Sequence, residues 1–273
     1  MSFSAAELEL FIKPLLAAVL GSVVCGIVGV WVVLLNIPFV GVTMSHAAFA
    51  GAIFGLLLNT NPLLTALIFA SGAALLIGPV AERADFDPGM ALGVIFALTL
   101  GLAFLGIGLL RGPRTDVFRF IWGNILLVSW ADVLLLGVSL LLIVGILLML
   151  NKEISAVLFN REIARAVGIP ERAIFFCLLI LCGIVITLNL NTIGGLLIFS
   201  LVVSPASAAY QLTYRLKTMY LLSIGFALAS SLLGLMLSYL LNLPSGAAII
   251  CVASLIFGLA FLFSRKRLSR LKI

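Results

Sequence analysis

Apolar runs of about 20 residues recur from one end of the chain to the other, separated by short connectors rich in Pro, Gly, Asn or charge. A run of that length crosses a bilayer as a helix, since in lipid each backbone amide must be satisfied within its own segment. The pattern predicts spans over 14–35, 42–58, 62–81, 89–110, 131–150, 172–190, 193–211, 217–241 and 246–264. That makes nine, with eight as the alternative if the first segment is arranged differently. The connectors NIPFVG, NTNP, DFDPG, RGPR, GIPER and NLPSG are turn signals at those boundaries. The run 117–130, VFRFIWGNILLVSW, is apolar but short and holds Arg119, so it reads as a re-entrant or interfacial segment. The alternation expected of membrane barrel strands is absent. The expected fold class is all-α: a polytopic helical membrane protein with 8–9 transmembrane helices, residues 1–273 forming a single transmembrane domain.

One connector is long enough to carry structure of its own. Residues 151–172 read NKEISAVLFNREIARAVGIPER. Asn160 suits a helix N-cap, Gly168 suits the position after a helix, and Pro170 prevents continuation, which frames a short helix over 161–167. Phe159, Ile163 and Val167 recur every four residues on one face, with Arg161, Glu162 and Arg165 turned elsewhere. So short a helix is marginal alone; it is expected to dock on a partner or to lie on the lipid interface.

Composition agrees with the membrane class: 64% of residues are hydrophobic and 10% charged, against about half and about a quarter in soluble domains. The net charge of +6 changes the picture only through its placement. With nine spans and the C-terminal tail inside, one side collects Arg83, Lys152, Arg161, Arg165, Arg172, Arg215, Lys217 and the five basic residues of the tail 265–273. The other side keeps Lys13, Arg111, Arg114 and Arg119. Basic loops face the cytosol, so the tail and the 151–171 loop are expected there, the tail in reach of anionic membrane lipid. No basic patch interleaved with aromatics marks a nucleic-acid surface. Cys25, Cys177, Cys182 and Cys251 lie in apolar runs without a CxxC pair, as small packing residues do. The opening MSFSAAELELFIKP carries Glu7 and Glu9 without a basic n-region, unlike a cleaved signal peptide.

The one histidine of the chain, His46, sits in GVTMSHAAFAG. A neutral imidazole ligates zinc, manganese or iron, and a polar group within the membrane tends to face a cavity or a partner. Without an acid nearby, a lone histidine is more often a hydrogen-bonded packing residue. Ser45 and His46 are adjacent and point about 100° apart on a helix, which disfavours a nucleophile–base pair and an intramembrane enzyme. Asn124, Asn189 and Asn191 offer neutral carbonyls at best, and Asp116 and Asp132 flank the 117–130 run. The small-residue stretches GSVVCGIVG, AAFAGAIFG and SPASAA permit close helix approach. Gly51 and Gly55 have GxxxG spacing that suits either packing within the subunit or a dimer face. Pro205, inside an apolar run, is expected to break its helix and free carbonyls beside a pathway.

Four stretches in order carry a family resemblance: VGVTMSHAAFAG, FIWGNILLVSWADV, LFNREIARAVGI, and IGGLLIFSLVVSPASAA followed by LSYLLNLPSGAAII. Over about 15–264 the chain resembles the membrane subunits of the ABC importers for zinc, manganese and iron. The resemblance implies a permease subunit that moves a divalent transition metal through the prokaryotic cytoplasmic membrane, pairs with a second copy of itself, and holds no tightly bound cofactor. An extracytoplasmic binding protein is expected to deliver the metal. A cytosolic ATPase is expected to bind ATP and to receive the short helix through Phe159, Arg161, Glu162, Ile163, Arg165, Val167 and Gly168. The chain has no GxxxxGK[ST] phosphate loop, so hydrolysis is assigned to that separate polypeptide and this subunit is not itself an enzyme. His46 is implied as a pathway ligand, with Val42, Ser45, Ala47, Gly51 and Pro205 lining the route. The chain departs from the family at Val42, where the pattern has an aspartate one turn before the histidine, and at Asn160 and Asn242, more often aspartates. Loss of that carboxylate opens an alternative cargo, a metal chelate or another small solute.

Overall fold

The computed structural model describes residues 5–83, 88–110, 128–193 and 195–264. Among these residues the chain forms helices and no strand: α1 (Ala5–Leu34), α2 (Val40–Leu57), α3 (Pro62–Arg83), α4 (Pro88–Leu109), α5 (Trp130–Met149), α6 (Asn151–Phe159), α7 (Arg161–Ala166), α8 (Glu171–Ile193), α9 (Gly195–Leu212), α10 (Leu216–Leu241) and α11 (Ser245–Leu262). Eight of them, α1–α5, α8, α10 and α11, are long and apolar enough to cross a membrane. The ninth expected span is α9, whose apolar portion runs over Ile198–Leu212. The re-entrant expectation for 117–130 falls, save its last three residues, outside the described residues; so do Arg111, Arg114, Asp116, Arg119, Asn124 and the tail 265–273.

The connectors end helices by local chemistry. Asn36, Asn59 and Asn242 take left-handed φ values of 57°, 53° and 51° just past α1, α2 and α10. Asparagine tolerates that conformation better than other residues with a Cβ, and it closes a helix C-terminus. Asn61 Oδ1 then accepts from Leu63 N at 2.9 Å and caps α3. Ser129 and Asp132 form a reciprocal capping box at the start of α5, which assigns Asp132 to a helix end.

Two helix groups build the bundle. In one, α2 packs on α3, α4 and α8; in the other, α1, α9, α10 and α11 pack together, and α2–α9 and α1–α8 contacts join the two. Glycines set the closest approaches. A Cβ at Gly51 would lie 2.8 Å from Ala66 Cα, and one at Gly55 2.8 Å from Pro62 Cα, so the GxxxG pair seats α2 against α3 inside the subunit. Hydroxyls tie α1 to α10: Ser22 Oγ donates to Ser231 Oγ at 2.6 Å, and Ser223 Oγ to the Gly26 carbonyl at 2.7 Å. Trp31 Nε1 donates to Tyr220 Oη at 2.8 Å. Such bonds hold membrane helices together where burial from water cannot.

Two local expectations are corrected. Pro205 does not break its helix; α9 continues through it from Gly195 to Leu212. The residue is buried, and membrane helices tolerate an interior proline when neighbours absorb the loss of one backbone bond. The 151–171 loop holds two helices rather than one, because 151–159 forms α6. Phe159 therefore ends α6, and the extended backbone of Asn160 (φ −164°, ψ 121°) separates it from α7.

Candidate functional site

Helix α2 is the most enclosed element around the histidine. Over 40–55 each residue is buried except Val42, His46 and Phe54, which are half-buried. Val42 and His46 lie one turn apart and therefore share a face. His46 Nδ1 sits 3.1 Å from the Val42 carbonyl oxygen. That oxygen only accepts, so the neutral ring carries its proton on Nδ1 and leaves the Nε2 lone pair as the potential ligand, the arrangement that orients ligand histidines. The Phe96 ring of α4 meets the imidazole edge-on, with centroids 4.9 Å apart.

The flanking residues do other work. Ser45 Oγ donates to the Gly41 carbonyl at 2.8 Å and His46 to Val42, each to its own preceding turn, so the two side chains form no catalytic pair. Ala47, Ala48 and Ala50 have no exposure, and Gly51 faces Ala66 and Phe69 of α3. Ser45, Ala47 and Gly51, expected along the route, are thus packing positions of α2 within the subunit, and Pro205 is buried in α9. On this face of α2 the half-buried pair one turn apart is Val42 and His46. Among the described residues no three His, Cys, Asp or Glu side chains gather as a metal site. Cys25, Cys177, Cys182 and Cys251 are all free thiols.

The second feature is α7, held outside the bundle. Asn160 Oδ1 accepts from Glu162 N at 2.8 Å and Ile163 N at 3.0 Å, the cap that lets so short a helix form. Gly168, at φ +84°, ends it in the left-handed conformation a Cβ would strain. Phe159 is 82% exposed, Ile163 52% and Val167 68%, while Ala164 is buried beneath. Glu162 is exposed. Arg161 and Arg165, expected among the docking residues, are engaged within the subunit. Both bind Glu171 at the start of α8, whose side chain is 2% exposed, and the Arg161 guanidinium lies 4.0 Å from the Phe175 ring centroid. The sequence reading missed Glu171, because the partners stand ten and six residues away across a turn.

The α6–α7 segment and the end of α11 lie on one side of the molecule. Ser264 Oγ, just past α11, donates to the Gln211 carbonyl at 3.0 Å. Tyr210 and Tyr214 beside it share a cavity of about 550 Å³ with Leu34, Ser155 and Phe159.

Comparison with known proteins covers nearly the full length of the chain. The model of a family described as "ABC 3 transport family" matches residues 7–264. The manganese transport system membrane protein MntC of Halalkalibacterium halodurans is 31% identical over 255 residues, covering 93% of this chain and 87% of that protein. The high-affinity zinc uptake system membrane protein ZnuB of Haemophilus influenzae is 26% identical over 264 residues, covering 95% and 99% respectively. A solved structure, PsaBC from Streptococcus pneumoniae in complex with Fab, superposes with a TM-score of 0.86 at 27% identity, covering 97% of this chain and 96% of that one.

Proposed function

Because the chain belongs to the ABC 3 transport family, we propose that it is the permease subunit of an ATP-binding-cassette importer that carries a divalent transition metal, manganese or zinc, into the cell. It is a multi-pass protein of the bacterial cytoplasmic membrane and works as one permease unit. Two copies frame the route, a separate cytosolic ATPase drives it, and an extracytoplasmic binding protein feeds it. The relatives named for manganese and for zinc favour a bare cation over a chelate.

The observation that carries this reading is α7. Three large apolar side chains of the α6–α7 segment, Phe159, Ile163 and Val167, are left uncovered, and burying each against a partner surface is worth about 1.5–3 kcal/mol. The ATPase is that partner. Ser264 and the α6–α7 segment share one end of the bundle, and the basic residues of the loop and tail assign that end to the cytosol. On α2, His46 is the metal ligand, presenting Nε2 from the half-buried face it shares with Val42. Transport is alternating exposure of that face, driven from α7.

The test is ATP-dependent uptake of manganese and zinc ions by proteoliposomes holding the purified permease–ATPase complex and supplied with the binding protein. Uptake of one of the two that requires ATP supports the assignment. No uptake above an ATP-free control for either ion would overturn it.

A further inference from the structure

We infer that Glu171 is a positioning residue that makes α7 and α8 a single lever, so that movement of the docked α7 is delivered to the membrane helix rather than lost in the joint. The inference rests on the reading of α7 as the ATPase-docking helix.

The joint between the two helices is slight. Only 167–170 separate Ala166 from Glu171, and Gly168 within that link is left-handed. Backbone bonds from Gly168 N to the Arg165 carbonyl, Ile169 N to the Ala164 carbonyl and Glu171 N to the Ile169 carbonyl shape that link, and side-chain contacts decide how firmly the six-residue helix is held to α8. Arg161 and Arg165 lie one turn apart on α7 and share a face. Each presents two nitrogens to one carboxylate oxygen: Arg161 Nε and Nη2 donate to Glu171 Oε2 at 3.0 and 2.8 Å, and Arg165 Nε donates to Oε1 at 3.1 Å, joined by its Nη2. Both carboxylate oxygens are thereby occupied, one by each arginine, in charge-assisted bonds stronger than neutral ones. The two anchor points lie at either end of α7, so the clamp blocks tilting and rolling about the link. Arg161 is pinned further against Phe175, one turn into α8. The Glu171 side chain is 2% exposed, so pulling a guanidinium away would leave its charge poorly solvated, and the contact resists separation when α7 is pushed.

From there the displacement has a route to the pathway helix. Phe176 of α8 closes over Gly78 of α3, and the α8 backbone at Gly183 faces the Ala70 carbonyl of α3 and Met44 Sδ of α2. Met44 is two residues from His46 on the same helix.

The experiment uses the full permease–ATPase complex in proteoliposomes, with manganese and zinc ions as the probes. One arm measures metal imported per ATP hydrolysed for the wild type, Glu171→Gln, Glu171→Asp and Arg165→Gln. The other measures the distance distribution between spin labels at the exposed positions Ala166 and Ala173, in a background lacking the four cysteines. For Glu171→Gln the ATPase should remain bound, the metal-to-ATP ratio should fall at least fivefold, and the label distribution should broaden. Glu171→Asp, which keeps the charge, should recover part of the ratio. Arg165, whose side chain is 65% exposed, provides the substitution that tests the clamp if the Glu171 variants do not accumulate. A ratio within twofold of the wild type, or an unbroadened distribution, in these variants overturns the inference. The label arm needs no cargo, so failure of the wild type to import metal would strike the functional reading while leaving the clamp itself testable.

Discussion

His46 Nδ1 lies 3.1 Å from the carbonyl oxygen of Val42, the half-buried residue one turn before it on the same face of α2. The backbone of Val42 thus orients the ring while its side chain offers the metal nothing. His46→Ala removes the ligand and should reduce metal uptake by about tenfold or more with the complex intact by gel filtration. Val42→Asp restores an oxygen donor and a negative charge one turn away, which suits the harder ion, so manganese uptake should rise relative to zinc. Unchanged uptake by the His46 variant would make the imidazole a packing residue.

Docking through α7 should depend on its apolar face and little on its charges, since Arg161 and Arg165 are engaged with Glu171. Phe159→Ala combined with Ile163→Ala removes two exposed side chains worth about 1.5–3 kcal/mol each when buried. Pull-down of the ATPase should be lost while the permease remains inserted in the membrane. Glu162→Gln should leave co-purification unchanged.

Close approach of α2 and α3 can be probed by overpacking. Gly51→Leu forces a side chain into Ala66 and Phe69 and should destabilise the subunit by about 1–3 kcal/mol, read as a lower unfolding temperature in detergent. Gly72→Leu on α3 points into open space and should leave that temperature nearly unchanged. Equal effects from the two substitutions would contradict the packing described for α2.

The Trp31–Tyr220 bond links α1 to α10 across 189 positions of sequence. A double-mutant cycle with Trp31→Phe and Tyr220→Phe should give a coupling of about 0.6–1.7 kcal/mol, the range for hydrogen bonds between membrane helices. A coupling near zero would show that the α1–α10 contact is held by packing alone.

The spans are legible in the sequence because lipid imposes a length and forbids interior charge, and the asparagine–proline connectors mark where helices stop. α7 is legible for a similar reason: Asn160 and Gly168 are residues the backbone itself requires at those positions. What escapes is whatever depends on a neighbour far along the chain. The α6 helix mixes Lys152 and Glu153 with apolar residues and reads as a loop until its buried side, Ile154, Val157 and Leu158, is seen against the bundle. Pro205 looks like a break because the sequence does not show the packing around it. Gly51 and Gly55 have one spacing that serves two interfaces, and the geometry selects α3. For His46 the sequence identifies the residue, and only the fold reveals that it and Val42 are half-buried while Ala47 and Gly51 are enclosed.

The glycine seat between α2 and α3 limits how the molecule can move. At Gly51 and Gly55 one backbone rests on another, with no long side chain between them to swing and absorb a displacement. Sliding one helix past the other would drive main-chain atoms into each other, so the pair has almost no independent degree of freedom along its length. Any stroke that carries His46 must carry α3 as well. The moving part of this subunit is therefore at least two helices thick, and labels placed across the α2–α3 seam should keep their separation through the cycle.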